Sequence, residues 1–466
     1  MKYFSSRDSS ANLFSFEHVL LDGLARDGGL YLPESWKKFD STMSLSNYSD
    51  YADLAAKIMG PYTEPKFDRQ KLIDLSYKSY ENFTHPLIAP LVNLADNLWL
   101  LELFHGPTLA FKDFALQVVG KFFNEILNER NEHITIIGAT SGDTGSAAIE
   151  AFRGLPNISI FILYPEGRIS EVQRRQMTSV IETNVHTIGV DGSFDDCQTL
   201  VKNLFQDLSF RERMKLGAVN SINWGRILAQ TVYYWHASIN LRNKGYENIS
   251  FVVPTGNFGN VFAGWVAAQS GLEIKNLVVA TNQNDILTRF FKTGIYKKLS
   301  VIQTLSPSMD IQIASNFERL LYYILGCNGS QVTNKITGLL ENNEFSIDNS
   351  MYPDIRKMFI GVSIDDETTL KTISRVYSET GFVVDPHTAT AIAAANKLKD
   401  ENGKFPSPTV CLATAHPAKF PLAVQKAIGI KPEIPDKIAD LMDREERIIN
   451  LPNDLIKLKD FIRAHS

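Results

Sequence analysis

The stretch HITIIGATSGDTGSAAIEAF, residues 133–152, decides the fold class of this chain. It opens with a short run of β-branched and apolar side chains, which is typical of a buried strand. A turn rich in Gly, Thr and Ser follows, and the remainder is rich in Ala, which favours a tightly packed helix. A strand that passes through such a turn into a helix predicts a parallel sheet whose ligands bind beyond the carboxyl ends of the strands.

The same alternation of strands and helices extends over most of the chain. Further buried strands are predicted at ISIFILY (158–164), VHTIGV (185–190), SFVVP (250–254), NLVVA (276–280) and PTVCLA (408–413). Helices with apolar residues three and four positions apart are predicted after Asp113, from Arg226 and from Thr368. We therefore expect an α/β protein whose sheets are mostly parallel and are covered by helices on both faces.

Residues 1–95 are expected to form a separate N-terminal unit. They lack clear strand patterns until their last residues, and they contain the Gly-rich turn GLARDGGLYLP. A polar stretch from Thr333 to Asp354 is interpreted as an insertion, and the charge-rich tail beyond Pro435 as a C-terminal helical extension.

Length and charge narrow the class of protein. The chain has 466 residues, 44% of them hydrophobic, which excludes disorder as its main state and allows about three folded units. Its 47 Lys and Arg against 52 Asp and Glu give a net charge of −5, which argues against nucleic acid as a partner. A small-molecule enzyme is the favoured class.

The cysteines and the apolar runs indicate where the protein acts. Cys197, Cys327 and Cys411 are far apart and form no CxxC pair, so neither a disulfide framework nor a metal site is predicted. No uninterrupted apolar run approaches the ~20 residues of a membrane span, and the first residues lack the apolar region of a signal peptide. We expect a cytoplasmic protein that does not bind membranes.

Three loops that follow predicted strands are candidate ligand sites, and the first follows residues 133–139. Its residues are Thr140, Ser141, Gly142, Asp143, Thr144 and Gly145. The glycines permit close backbone approach and the hydroxyls add donors, so a carboxylate or a phosphate could bind here. A plain helix cap without a ligand has the same composition, so both interpretations stay open.

The second loop lies in PTGNFGNVF and consists of Gly256, Asn257, Phe258, Gly259 and Asn260. It lacks the Lys and the Ser or Thr of a P-loop, which disfavours a nucleotide triphosphatase. A single phosphate group without a metal is the expected ligand, because the start of a helix offers free N–H groups to an anion. A simple Asn/Gly turn is the alternative.

The third loop lies in LATAHPAKF, where Thr414 ends a strand and Pro417 is placed to open a helix. The Thr414 hydroxyl could bond a ring nitrogen, although a plain strand exit is the alternative. His416 is interpreted as a capping or packing residue.

Lys112 in FHGPTLAFKDFALQ adds a reactive group. It stands beside Phe111 and Phe114, and apolar surroundings lower the pKa of a lysine and free its neutral amine. A lysine that is salt-bridged, for example to Asp113, is the alternative. A reactive lysine, a phosphate loop, a second anion loop and a hydroxyl for a ring nitrogen are together what pyridoxal 5′-phosphate and an amino-acid substrate require.

These motifs together resemble the threonine synthase family, in its long bacterial and fungal form, within the tryptophan-synthase-beta-like group of pyridoxal-phosphate enzymes. The resemblance covers nearly the whole chain. The motifs that carry it are YFSSRD, GLARDGGLYLP, FHGPTLAFKDF, GATSGDTGSAA, NSINWGRILAQ, PTGNFGN, PSMDIQIASNFERLL, DPHTATA and LATAHPAKF.

The resemblance implies two three-layer α/β lobes around a central cofactor cleft. The smaller lobe, residues 96–225, would carry Lys112 and the loop at 140–145. The larger lobe, residues 226–466, would carry the phosphate loop and Thr414.

The resemblance also implies roles for residues of this chain. Lys112 would bind the cofactor through an imine, the loop from Gly256 to Asn260 would bind its phosphate, and Thr414 would face its pyridine nitrogen. The loop from Thr140 to Thr144 would bind the substrate carboxylate. The chain departs from many relatives at Asn260, where they carry Asp, and at Asp143, where the wider group carries Asn.

The reaction that the resemblance implies converts O-phospho-L-homoserine and water into L-threonine and phosphate. The substrate phosphate then needs an anion site of its own, for which Arg226, Lys419, Arg168 and the Ser141 loop are candidates. Arg226 could equally be a structural residue at a helix start. His105 is expected to position the Lys112 loop, and the protein to be a monomer or a homodimer.

Two other functions stay open. The first is another enzyme of the same cofactor group, such as a threonine or serine dehydratase. The second is a catalytically silent homologue that only binds a ligand or acts as a secreted signal; an intact Lys112 argues against it.

Overall fold

The computed structural model describes residues 1–8, 12–40 and 43–466. Its strands, in chain order, are β1 (Lys2–Ser5), β2 (Phe14–Ser15), β3 (Tyr31–Pro33), β4 (Leu91–Ala95), β5 (Leu98–Glu102), β6 (Ile134–Ala139), β7 (Ile158–Pro165), β8 (Val185–Asp191), β9 (Leu216–Gly217), β10 (Ile249–Pro254), β11 (Ile274–Thr281), β12 (Ile295–Lys297), β13 (Glu344–Ser346), β14 (Phe359–Ser363), β15 (Thr409–Ala413) and β16 (Ile449–Pro452).

The helices alternate with these strands over most of the chain. They are α1 (Phe16–Asp22), α2 (Tyr51–Thr63), α3 (Arg69–Tyr80), α4 (Lys112–Arg130), α5 (Asp143–Phe152), α6 (Glu171–Thr178), α7 (Phe194–Gln206), α8 (Leu208–Arg213), α9 (Trp224–Arg242), α10 (Gly259–Gln269), α11 (Ile286–Thr293), α12 (Phe317–Ile324), α13 (Gly329–Asn342), α14 (Pro353–Met358), α15 (Asp366–Thr380), α16 (Pro386–Asn396), α17 (Pro421–Ile428) and α18 (Leu455–His465).

The larger sheet has the strand order β14-β11-β10-β15-β5-β4 within the described ranges. Its neighbouring strands are parallel, except that β4 runs antiparallel to β5. Both faces are covered. Phe251 and Val253 of β10 pack in a core that contains α10, whereas Val252 between them packs in a second core that contains α16.

The smaller sheet has the order β16-β8-β7-β6-β9, and its neighbouring strands are parallel where the structure describes them. Ile160 and Ile162 of β7 face the core that holds α4 and α5. Phe161 and Leu163 face the opposite way, against α7 and α18. The expected α/β class with mostly parallel sheets, covered on both faces, is confirmed.

The N-terminal residues contain more strand than their sequence predicts. β2, β1 and β3 form a small antiparallel sheet; α1 lies between β2 and β3 in the chain, and α2 and α3 follow β3. These strands are two to four residues long, which is too short for a period-two pattern to be recognised.

The sheets do not follow the expected divisions 1–95, 96–225 and 226–466. β4 and β5 belong to the larger sheet, where β5 pairs with β15, and β16 belongs to the smaller sheet, where it pairs with β8. A strand such as LWLLE has the same local pattern whichever sheet it joins, so its partner cannot be predicted from its own residues. As a division into domains, the three ranges stay a prediction.

The C-terminal tail is more than the helical extension that the sequence predicts. β16 adds an edge strand to the smaller sheet, and α18 then packs Leu458 and Ile462 against α7. The polar stretch from 333 to 354 contains most of α13 and the strand β13, which pairs with β12. In the described part of the chain, no helix is both long enough and apolar enough to cross a bilayer.

The packing of α18 gives a stability prediction. Ile462 is fully buried, whereas Ile456 on the same helix is 71% exposed. Ile462→Ala is expected to lower the free energy of unfolding by about 2–5 kcal/mol, because it removes buried methylene groups and leaves a cavity. Ile456→Ala should change it by less than about 0.5 kcal/mol. Urea unfolding followed by circular dichroism measures both; equal midpoints for the two variants would contradict the packing described.

Candidate active site

A cavity lies beyond the carboxyl ends of β10 and β15, beside the first turns of α4, α5 and α10. Pro254 at the end of β10 and Thr414 directly after β15 both line it. The polar residues along its wall are Lys112, Asp143, Thr144, Ser221, Arg226, Gln230, Thr255, Asn257, Asn260, Ser308, His387 and Thr414. The cavity occupies the end of the sheet at which the sequence predicts ligand binding.

The cavity brings together most of the predicted site residues. Its wall contains Lys112, Asp143, Thr144, Arg226, Gly256, Asn257, Phe258, Gly259, Asn260 and Thr414. Within the described residues, its lining does not include Thr140, Ser141, Gly142 or Lys419. Arg168, a further candidate, is exposed and outside the lining.

Lys112 is the first residue of α4, and main-chain hydrogen bonds hold it beside Thr414. The Phe111 N–H donates to the carbonyl of Thr414 at 2.9 Å, and the His416 N–H donates to the carbonyl of Leu109 at 3.0 Å. These bonds flank an antiparallel bridge between the residues in the middle of the two segments. The start of α4 is therefore fixed to the end of β15.

The side chain of Lys112 pairs with Asp143. Its Nζ lies 3.2 Å from Oδ2 of Asp143, and the lysine is only 9% exposed. The alternative partner Asp113 is engaged elsewhere, because it accepts from the N–H of Thr108 at 2.8 Å and from its hydroxyl at 2.7 Å. Lys112 is thus aimed into the cavity and not along its own helix.

Burial lowers the pKa of Lys112 below its ordinary value. The carboxylate of Asp143 opposes that effect, whereas the positive charges of Lys419 and Arg226 add to it. A lowered pKa makes the neutral amine, which is the nucleophilic and basic form of lysine, easier to reach.

The loop after β6 divides into a part that builds the turn and a part that reaches the cavity. The hydroxyl of Thr140 accepts from the N–H groups of Gly142 and Gly145 at 2.9 and 2.8 Å. Gly142 has a φ of +132°, a conformation that favours glycine. Asp143 and Thr144, at the start of α5, line the cavity. The Thr140 hydroxyl therefore serves the turn, in contrast to its expected contact with a substrate carboxylate.

The loop after β10 is held in place by its own side chains. Phe258 has a φ of +64°, and its ring packs among those of Phe291, Phe317 and Phe359. Gly256 lies so close to another loop that an added Cβ would be 2.5 Å from the carbonyl oxygen of Ser308. No side-chain cap covers the start of α10, so its first N–H groups remain available to an anion.

Two buried side chains on the cavity wall carry donors without a partner. Among the described residues, Nε and Nη1 of Arg226 and Nδ2 of Asn260 have no hydrogen-bond acceptor. Burial lowers the pKa of Arg226 to about 10. Oδ1 of Asn260 accepts from the hydroxyls of Tyr233 and Tyr234 at 2.6 and 2.9 Å, which turns its amide nitrogen toward other partners. A buried cation and a buried N–H group without acceptors fit an anionic ligand.

Lys419 differs from its expected role. It is fully buried, and its Nζ contacts the carbonyl of Thr108, Oε1 of Gln176 and Oδ1 of Asp143. It therefore faces protein atoms and is separated from the cavity by them. His416 behaves as predicted for a capping residue, because its side chain accepts from the Ala418 N–H at 3.2 Å.

Several polar residues of the cavity wall have no role predicted from the sequence, and His387 and Ser308 are two of them. Nε2 of His387 accepts from the N–H of Ser308 at 3.2 Å, and its Nδ1 lies 2.8 Å from Oδ1 of Asp385. The hydroxyl of Ser308 donates to Asp143 at 3.2 Å. The Asp-Pro-His sequence is a recognisable helix start, with Asp385 as its N-cap. Nothing in that pattern indicates that the helix start faces the cavity.

Models of protein families match almost the entire chain. The model described as "Threonine synthase N terminus" matches residues 2–80, "Pyridoxal-phosphate dependent enzyme" matches 84–415, and "Threonine synthase, C-terminal" matches 388–462. The second of these covers more than two thirds of the chain and all the residues of the cavity wall.

Relatives are similar over their full length. A threonine synthase of Pseudomonas aeruginosa is 46% identical, over 100% of this chain and 98% of that protein. The solved structure of a pyridoxal-phosphate-bound threonine synthase from Brucella melitensis has a TM-score of 0.95 at 45% identity, covering 100% of this chain and 99% of that one. A yeast threonine synthase structure has a TM-score of 0.93 at 40% identity, covering 100% and 98% of the two chains. The chain belongs to the threonine synthase family of pyridoxal-phosphate-dependent enzymes.

Proposed function

We propose that this chain is a threonine synthase, which converts O-phospho-L-homoserine and water into L-threonine and phosphate. The observation that carries the proposal is that a buried lysine of lowered pKa shares its cavity with buried donors that have no acceptor. The reaction needs such a lysine, and it needs sites for the phosphates of both cofactor and substrate.

The residues present fit pyridoxal 5′-phosphate. Lys112 would hold it covalently, the loop from Gly256 to Asn260 would hold its phosphate at the start of α10, and the Thr414 hydroxyl would face its pyridine nitrogen. When bound, this cofactor stabilises the electron pair that remains when a proton leaves a carbon of the substrate. A carboxylate beside the pyridine nitrogen would favour the protonated ring, whereas the Thr414 hydroxyl does not. The cofactor would therefore withdraw electrons less strongly here.

Lys112 is the base that the geometry offers. It lines the cavity, it is nine-tenths buried, and its pKa is lowered by burial. We assign to it the removal of the substrate protons at Cα and at Cβ, before phosphate leaves Cγ. Cγ then takes up a proton and becomes a methyl group, water adds its OH to Cβ and releases its other proton to the departing phosphate, and Cα regains a proton. Its pairing with Asp143 at 3.2 Å holds the amine at the wall of the cavity.

We assign the substrate phosphate to Arg226 and the substrate carboxylate to the start of α5, where Thr144 lines the cavity. Arg226 has charge and two unpartnered donor atoms, which a phosphate can accept from simultaneously. We further propose that the protein acts in the cytoplasm, because its composition and its three free cysteines fit that compartment. We also propose that it is a monomer or a homodimer.

The proposed function is tested by product analysis. The purified protein, supplied with pyridoxal phosphate, should release phosphate from O-phospho-L-homoserine and form an equal amount of threonine. Release of ammonia from threonine or serine, without phosphate release, would identify a dehydratase of the same cofactor group. If the protein releases neither phosphate nor ammonia, it is a silent homologue. Either this outcome or ammonia release without phosphate release would contradict the proposal.

Lys112→Ala is expected to abolish phosphate release and the visible absorbance of the covalently bound cofactor, because it removes the only atom that we assign to that bond. Lys121→Ala is the matched control, since Lys121 is on the same helix but outside the cavity. Absorbance spectra of both variants with added pyridoxal phosphate give the result. A visible band in Lys112→Ala equal to that of the control would refute the assignment.

Arg226→Gln tests the substrate-phosphate site. Loss of a charge-assisted hydrogen bond costs about 1.5–3 kcal/mol, so KM for O-phospho-L-homoserine should rise roughly 10- to 150-fold. The affinity for pyridoxal phosphate, measured by quenching of tryptophan fluorescence, should change much less. If instead cofactor affinity falls by the larger factor, Arg226 belongs to the cofactor phosphate and our assignment is wrong.

A further inference from the structure

Lys419 lies behind the cavity wall, where its Nζ contacts three oxygen atoms of the protein. It ends the short 3₁₀ helix Pro417–Lys419 after β15, and its side chain has no exposed surface. Its Nζ lies 2.7 Å from the carbonyl oxygen of Thr108, 3.0 Å from Oε1 of Gln176 and 3.0 Å from Oδ1 of Asp143. An ammonium group has three protons to donate, and these oxygens match them. Lys419 has no donor left for a substrate.

Asp143 is shared between two lysines. Its Oδ1 faces Lys419 and also accepts from Nε2 of Gln173 at 2.8 Å. Its Oδ2 faces Lys112 at 3.2 Å and accepts from the hydroxyl of Ser308 at 3.2 Å. Burial opposes the ionisation of Asp143, but the two ammonium groups outweigh it and hold its pKa well below the usual range. This carboxylate therefore has a counter-ion on each oxygen.

Other charged groups face this cluster from the surrounding elements. Arg226 on α9 acts on Lys112 from the cavity side, and His387 on α16 acts on Asp143. His387 is itself paired with Asp385. Asp113 on α4 faces Lys419 through Thr108, and burial raises its pKa to about 6. Among these groups, only Asp143 forms ion pairs with both lysines, as far as the structure describes the chain.

We infer that Lys419 is a positioning residue for the proposed reaction: it neutralises Asp143 permanently, so that Lys112 is free to exist as a neutral amine beside an ionised carboxylate. The inference rests on the proposed function only in giving Lys112 a reactive role. It replaces the expected contact between Lys419 and the substrate phosphate.

The direction of the effect follows from the charge that remains after Lys112 loses a proton. With Lys419 present, what remains is a complete buried ion pair between Asp143 and Lys419. Without Lys419, what remains is a lone buried carboxylate, which is costly, so Lys112 keeps its proton to a higher pH. Without the Asp143 charge, two buried ammonium groups repel each other, so Lys112 loses its proton at a lower pH.

The experiment measures the titration of Lys112 directly. The full-length chain, freed of cofactor, is pulsed with acetic anhydride at a series of pH values, and acetylation of the peptide that contains Lys112 is quantified by mass spectrometry. In Lys419→Met the pH midpoint should rise by about one unit or more, and in Asp143→Asn it should fall by a similar amount. Lys426→Met, an exposed lysine on α17, is the matched control and should leave it unchanged.

A double variant keeps the inference testable if Lys419→Met does not fold. The double variant Asp143→Asn with Lys419→Met removes both charges of the Asp143–Lys419 ion pair. Its midpoint for Lys112 acetylation should lie above that of Asp143→Asn alone, because the second substitution removes an ammonium group that repels the charged form of Lys112. An unchanged or lower midpoint in Lys419→Met, or equal midpoints in the double variant and in Asp143→Asn, would overturn the inference. A merely structural role for Lys419 would not move these midpoints in opposite directions.

This test is independent of the test of the proposed function, because acetylation requires no substrate and no turnover. A protein that fails to release phosphate from O-phospho-L-homoserine can still show the opposed shifts, and a threonine synthase can fail to show them. The two failures are therefore distinguishable.

Discussion

The active cavity depends on the ion pairs that the carboxylate of Asp143 forms with two lysines. Asp143 begins α5, directly after the smaller sheet, and it contacts Lys112 at the start of α4, Ser308 in a loop, and Lys419 beyond the end of β15 of the larger sheet. Segments from both sheets therefore converge on a single buried group. Removing its charge would leave buried ammonium groups without their counter-ion, which is among the more costly changes a protein interior can undergo.

The net charge of −5 argues against a polyanion partner but gives no measure of the potential inside this cavity. Lys112 and Arg226 line it, Lys419 lies behind its wall, and Asp143 forms ion pairs only with the two lysines among the described residues. The start of α10 adds the positive end of a helix dipole. Positive potential is thus concentrated where phosphate groups are expected to bind, within a chain that is acidic overall. Burial strengthens this potential because little water screens it.

The sequence predicts those features that depend on a short stretch of residues. It does not predict a contact between residues that are far apart in the chain. The strand, turn and helix around Gly256 and the reactive setting of Lys112 follow from short stretches of residues, and the structure places both in the cavity. The partner of Asp143 could not be predicted, because Lys419 is 276 residues away and reaches it only once β15 has joined the larger sheet. The sheets that β5 and β16 join could not be predicted for the same reason, since strand pairing is decided by which edges meet.

The edge strand β16 has a consequence for how the protein is made. Ile449 pairs with Ile188, so more than half the chain separates the partners. During synthesis, β8 therefore has one side without its partner strand until residues 449–452 have been added. A nascent chain with an open, apolar parallel edge can pair with a neighbouring chain, so early release or truncation near the C-terminus would expose a site for association between copies. Residues 449–452 therefore complete a sheet whose other strands are synthesised long before.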